Sequence, residues 1–140
     1  MVDPKLIESG NFAEITRLTN EAVNIVLGFG LAHVGINCKD SNETHETAKL
    51  FCQLFGLEYK PGNSAVFAGN IIETLTPIPG RGEKGHIAIG TNNIDRAIYQ
   101  LTAKGVTFRD GTAAKDTKGN IKAIYLDLDI NGFAVHLIQK

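Results

Sequence analysis

The chain has 140 residues, 43% of them apolar, which is enough to bury one solid core with at most a short appendage. Its 14 Lys and Arg balance 15 Asp and Glu, and no basic or acidic run stands out, so neither nucleic acid nor an anionic membrane surface is expected as a partner. The longest apolar stretch, Ala22 to Ile36, is broken by Asn24, three glycines and His33; it falls short of the ~18 residues that a membrane span needs and lacks a signal-peptide layout.

Two cysteines, Cys38 and Cys52, make neither a disulfide framework nor a paired metal motif. They read as small apolar groups in a reduced, cytoplasmic setting.

Asp3-Pro4 reads as an N-cap followed by proline at the first helical position, and Gly10 ends that short turn. A second helix starts at Asn11, with Glu14 placed as a capping-box partner. Ile15, Leu18, Ala22, Ile25 and Val26 form one apolar stripe along it, and Gly28 and Gly30 stop it. Residues 1–30 are therefore set apart as an N-terminal helical segment, with Gly28-Phe29-Gly30 as a hinge.

Beyond the hinge the chain repeats itself. Leu31 to Lys39 alternates as a strand, with His33, Gly35 and Asn37 on one face. A helix follows from about Asn42 to Phe55, stopped by Gly56. Short strands occupy Leu57–Lys60, Ser64–Ala68 and Ile71–Thr76, before prolines and glycines break the pattern. The second copy has a strand at Gly85–Gly90, a helix at about Asn93–Lys104 stopped by Gly105, and strands at Val106–Arg109, Ile121–Asp127 and Phe133–Gln139. Asn131-Gly132 is a strong hairpin signal between the last two, and Thr112–Asn120 is a polar loop without a counterpart.

Residue identity follows element order. His33-Val-Gly-Ile aligns with His86-Ile-Ala-Ile, and the segment Gly56 to Gly62 aligns with Gly105 to Gly111. The expected architecture is α+β: two βαβββ modules (31–78 and 84–140) forming one cupped mixed sheet with helices outside, plus the N-terminal helix. Two copies are too few for a solenoid, so an internally duplicated single domain over 31–140 is expected.

Each copy carries a ligand-competent residue on its first strand (His33, His86) and another on its last (Glu73, His136). If the modules pair about a pseudo-twofold axis, these four converge. Three imidazoles and a carboxylate suit a divalent metal ion (zinc, nickel, iron, cobalt or manganese) with room left for substrate or water. The fourth histidine, His45, reads as part of a solvated helix face. Tyr59, Phe67, Phe108 and Tyr125 read as core or cup-wall aromatics. Arg81 and Lys84, in the connection between modules, are solvated or meet an anionic substrate.

Residues 31–140 resemble the vicinal oxygen chelate superfamily, which includes glyoxalase I, methylmalonyl-CoA epimerase and extradiol dioxygenases. The resemblance is carried by Leu31-Ala-His-Val-Gly-Ile36, Ile71-Ile-Glu-Thr-Leu75, Gly85-His-Ile-Ala-Ile89 and Gly132-Phe-Ala-Val-His-Leu137. It implies metal positions at His33, Glu73, His86 and His136, with His136 or Glu73 as proton carrier. The superfamily usually has glutamate at the last position, so histidine there changes charge, reach and pKa.

Residues 1–27 resemble the C-terminal tail of 2-keto-3-deoxy-6-phosphogluconate (4-hydroxy-2-oxoglutarate) aldolases, which implies an aldolase barrel in a longer polypeptide. The functional expectation is a metal-dependent lyase or isomerase acting on a small-molecule substrate, a 2-keto acid or similar vicinal-oxygen metabolite, in a homo-oligomer such as a dimer. The alternatives are a metal-free small-molecule binding module or an oligomerisation appendage of the aldolase.

Overall fold

The computed structural model describes residues 3–140. Two helices lead the chain, α1 (Pro4–Glu8) and α2 (Phe12–Leu27). Asp3 caps α1 by accepting from the Lys5 N–H, and Asn11 caps α2 by accepting from the Glu14 N–H. Glu14 does not return the bond to Asn11; its carboxylate is held by Arg17 at 2.8 Å. Gly28 ends α2 in the left-handed conformation, which glycine adopts without steric cost.

The first module comprises β1 (Gly30–Asn37), α3 (Ser41–Phe55), β2 (Tyr59–Pro61), β3 (Ala65–Ala68) and β4 (Ile72–Leu75). The second comprises β5 (Gly85–Thr91), α4 (Ile94–Ala103), β6 (Ala114–Lys115), β7 (Ile121–Ile130) and β8 (Phe133–Gln139). All eight strands join one mixed sheet in the order β2-β3-β4-β1-β5-β8-β7-β6. In each module the last strand runs parallel to the first (β4 to β1, β8 to β5), and β1 and β5 pair antiparallel at the centre. Exchanging the modules reproduces this order, so the pseudo-twofold axis passes between β1 and β5. The modules pair within one chain.

Strand alternation sorts the residues. On β8, Val135 and Leu137 join Ile124 and Leu126 of β7 in the core beneath Ile94 and Ala97 of α4. Ala134 and His136 therefore face the other way. In the first module Thr74 is fully buried, and its hydroxyl donates to the Thr44 carbonyl of α3 and the Val66 carbonyl of β3. That places Glu73 and Leu75 on the opposite face of β4. Helices thus cover one face of the sheet, and the four expected ligands occupy the other.

The segment Val106–Arg109 is not a regular strand. It bridges β7 only at Phe108 and Leu126, supported by bonds from the Arg109 N–H to Tyr125 O and from the Asp127 N–H to Thr107 O. A single 3-10 turn, Asp110–Thr112, then interrupts pairing, because Asp110-Gly111 favours a turn over continued extension. The pairing resumes in β6, inside the stretch expected to be loop.

The base of α2 is firmly attached. The buried Thr91 hydroxyl donates to Leu27 O at 2.8 Å, and the Lys140 ammonium donates to Gly28 O. Leu27 enters the core, with Val23 packed beside it. The expected stripe does not join that core: Ile15 and Leu18 are half-buried, while Ala22 is exposed, Ile25 72% exposed and Val26 54% exposed. No helix among the described residues is long and apolar enough to cross a membrane.

Candidate metal centre

The register places the four residues on two alternate rungs, which share one face of the sheet. Gly35 of β1 lies between Glu73 of β4 and His86 of β5. Ala88 of β5 lies between His33 of β1 and His136 of β8. Each rung thus has a small residue flanked by two candidate ligands, and exchanging the modules exchanges the rungs.

The small residues are a steric requirement. A Cβ on Gly35 would fall inside the His86 imidazole. The glycine is therefore a cradle for the ring, and its backbone φ lies outside the left-handed range. Ala88 is fully buried.

The three imidazoles converge, and the Glu73 carboxylate meets two of them. The ring centroids of His33, His86 and His136 are 5.1–5.4 Å apart, and the three imidazoles each offer a nitrogen within 4.8 Å of the other two. Glu73 Oε2 stands 3.1 Å from His33 Nε2 and 2.9 Å from His86 Nε2. His33 and His86 Nε2 are themselves 3.1 Å apart. The three imidazoles thus form one compact group, with the carboxylate flanking His33 and His86.

His136 carries the clearest signal. It is 6% exposed, and both its ring nitrogens are buried without a hydrogen-bond partner among the described residues. Leaving such atoms unsatisfied is costly, and a metal ion is a group that could satisfy one of them. Burial, assisted by the neighbouring His86 and His33, pushes the His136 pKa down to about 4. It is neutral at pH 7, as a ligand must be. Burial acts on Glu73 in the direction of a higher pKa, but the hydrogen bonds and positive charge of His33 and His86 outweigh it and bring the carboxyl down to about 2. Glu73 is therefore a carboxylate. The donor set fits a divalent ion.

The second sphere holds these groups in place. Tyr125 stacks on His136, with centroids 4.7 Å apart and planes at 19°, while Phe67 meets His33 edge-on at 5.6 Å. Burial raises the Tyr125 pKa, against the opposing charge of Arg81. Arg81 lies over the Tyr125 ring, 5.1 Å from its centroid. A cavity of about 280 Å³ opens above the cluster, walled by Phe67, Leu75, Ile78, Arg81 and Tyr125.

The remaining sequence expectations sort as follows. Arg81 lines the cavity, whereas Lys84 packs its stem against Gly132. His45 is not simply solvated: its Nδ1 is 2.5 Å from the Tyr59 hydroxyl. Phe108 packs against the core of the second module. Cys38 is buried and Cys52 half-buried, both as free thiols. The roles of Gly35 and Ala88 were not anticipated, although a small residue two positions after each first-strand histidine was visible in the aligned repeats.

No protein-family model matches the chain, and no curated protein matches it. Solved structures do. An eight-stranded mixed sheet built from two βαβββ modules is a glyoxalase-like fold. Within that fold, the chain is similar to methylmalonyl-CoA epimerases. The Mycobacterium tuberculosis epimerase superposes with a TM-score of 0.55 at 17% identity, covering 81% of this chain and 89% of that one. A variant of the Streptomyces coelicolor epimerase, in complex with 2-nitronate-propionyl-CoA, gives 0.55 at 20% identity over 79% and 94%. A hypothetical protein from Bacillus halodurans gives 0.54 at 19% identity over 80% and 94%. At these identities the likeness establishes the fold.

Proposed function

We propose that residues 31–140 form a metal-dependent isomerase- or lyase-type domain in which His33, Glu73, His86 and His136 hold a divalent ion. The observation that carries this reading is the pair of unpartnered, buried nitrogens on His136, grouped with the imidazoles of His33 and His86. When bound, such an ion supplies Lewis acidity to two neighbouring oxygens of a substrate. The likeness to epimerases favours proton-transfer chemistry next to a carbonyl.

Glu73 and His136 occupy equivalent positions on the last strands of the two modules. They are the candidates for moving a proton, Glu73 as a charged carboxylate and His136 as a neutral imidazole. Both line the cavity, where a carried proton can pass to a substrate carbon and exchange with solvent. A 2-keto acid or related vicinal-oxygen metabolite suits the site, and the aldolase-like residues 1–27 support the same substrate class.

Metal uptake tests the proposal directly. Protein stripped with chelator and dialysed against zinc at neutral pH is expected to retain about one ion per chain, and a His33→Ala/His86→Ala variant to retain none. Incubation of loaded protein with 2-keto acids and acyl-CoA esters in D2O, followed by NMR, should reveal deuterium incorporation at the carbon next to the carbonyl. Wild-type protein that takes up no divalent ion would end this reading.

Exposed Ile25 and Val26 on α2 favour a second, compatible role for residues 1–30 as an assembly element, in a homo-oligomer or against an aldolase barrel. Ile25 is 72% exposed, so Ile25→Glu should dissociate such an assembly without unfolding the chain. Sedimentation velocity reads that outcome; an unchanged profile refutes the role.

A further inference from the structure

Arg109 and Arg81 lie close together, yet only one of them is committed. Arg109 is held by Asp127 at 3.3 Å and Asp129 at 3.2 Å, and it also donates to the carbonyl of Gly80. Arg81, one residue further along, makes no ion pair among the described residues. Its guanidinium is nonetheless fixed, because it lies over the Tyr125 ring, which in turn stacks on His136. A guanidinium has five N–H donors, so contact with the Tyr125 ring and hydroxyl leaves others for another partner.

The backbone around Arg81 is pinned on both sides. The Gly80 carbonyl accepts from Arg109, and the Gly82 carbonyl accepts from the Asn37 side chain at 3.0 Å. The connection between modules is therefore anchored where it passes the cavity. Among the cavity-lining residues, Glu73 is the single acid and Arg81 the single Lys or Arg. With a divalent ion held by one carboxylate and three neutral imidazoles, the cavity keeps a net positive charge, and Arg81 adds to it. In a confined, partly desolvated site, that charge selects for an anion.

Size and the remaining wall narrow the class. At about 280 Å³, the cavity is at the low end for small-molecule pockets, which run roughly from 300 to 1,000 Å³. Phe67, Leu75 and Ile78 give it an apolar side that can take a short aliphatic group but offers no partner for a second charge.

We infer that Arg81 is the specificity-determining residue of this site, and that it selects a short-chain 2-oxo monocarboxylate by pairing with the carboxylate while the apolar wall takes the alkyl end. This rests on the proposal that the four-residue cluster holds a divalent ion. The vicinal oxygens would be read by the ion and the negative charge by Arg81. An uncharged diketone satisfies the first condition but not the second.

Titration calorimetry on zinc-loaded full-length protein, with 2-oxobutyrate and the uncharged 2,3-pentanedione as probes, tests the assignment. Zinc content is measured first in wild type, Arg81→Gln and Lys84→Gln, the last removing a charge from the same connection outside the cavity. The expected result is equal zinc in all three, with 2-oxobutyrate binding weakened about tenfold to a hundredfold in Arg81→Gln, little changed in Lys84→Gln, and pentanedione binding indifferent to either substitution. Wild-type protein without zinc overturns the metal reading and this inference with it. Loaded protein that binds 2-oxobutyrate equally in wild type and Arg81→Gln, or loses as much in Lys84→Gln, overturns the assignment of Arg81 alone. Loaded wild type that ignores 2-oxobutyrate at millimolar concentration overturns the substrate class.

Discussion

Metal-free protein should lose stability on mild acidification, and His136 should be the main reason. Its imidazole is buried and neutral, with a pKa of about 4 in the folded chain against an ordinary value of 6.5. Between these limits the unfolded chain takes up a proton that the folded chain refuses. Stability therefore rises with pH across that window and falls as pH drops from 6.5 towards 4. Each unit of difference is worth 1.36 kcal/mol, so the full effect is roughly 3 kcal/mol, a large share of the ~5–15 kcal/mol typical of a domain. Glu73 acts in the same direction but lower down. Its carboxylate contributes stability that is complete above 4.5 and is lost as pH falls towards about 2. The two windows are nearly separate, which lets them be told apart. Urea denaturation in chelator, at half-unit intervals from pH 7.5 to 4, should give a sloping stability curve for wild type. His136→Leu should flatten the limb between 6.5 and 4, whatever its effect on the plateau. Parallel curves for the two proteins would refute the account, because the acid-sensitive proton would then belong to another group.

Other perturbations test the scaffold beneath the site. Gly35→Ala should displace the His86 ring and weaken zinc binding by about tenfold to a hundredfold, comparable to losing a ligand-orienting contact; chelator competition reads this, with circular dichroism unchanged. Asp40 caps α3 by accepting from the Glu43 N–H at 2.9 Å, so Asp40→Ala should cost about 1 kcal/mol in urea while leaving zinc uptake intact. Thr91→Val removes the buried hydroxyl that donates to Leu27 O. It should cost about 1 kcal/mol and speed limited proteolysis at Gly28–Gly30, since the base of α2 would open more often.

The architecture was legible because local signals and the repeat agreed. Proline and glycine positions, the Asn131-Gly132 turn and the caps at Asp3 and Asn11 each marked a boundary that the fold respects. The aligned histidine strands placed the four candidate residues at equivalent positions, and strand alternation then placed them on one face. Where pairing depends on the third dimension, the sequence was less informative. Val106–Arg109 has strand-like residues, but its bonds to β7 are irregular and end at a tight turn, so pairing passes to the unremarkable Ala114–Lys115. The stripe on α2 was visible as a pattern, yet a pattern cannot say which face of the helix finds the core: Val23 and Leu27, beside the stripe, do. His45 looked solvated because its hydroxyl partner, Tyr59, lies 14 residues away on another element. The small residues at 35 and 88 carry meaning only once a ring is known to cross them.

The seam between β1 and β5 gives the four-residue cluster a second consequence. Each module contributes two of its members, His33 and Glu73 from one and His86 and His136 from the other. Whatever all four hold together acts as a cross-link between halves of the chain that share a backbone only through residues 76–84. By linkage, an ion at a hundred times its dissociation constant would add about 2.7 kcal/mol to the folded state, and that increment would vanish once the halves part. Affinity for the ion therefore doubles as a gauge of how tightly the duplicated halves stay joined.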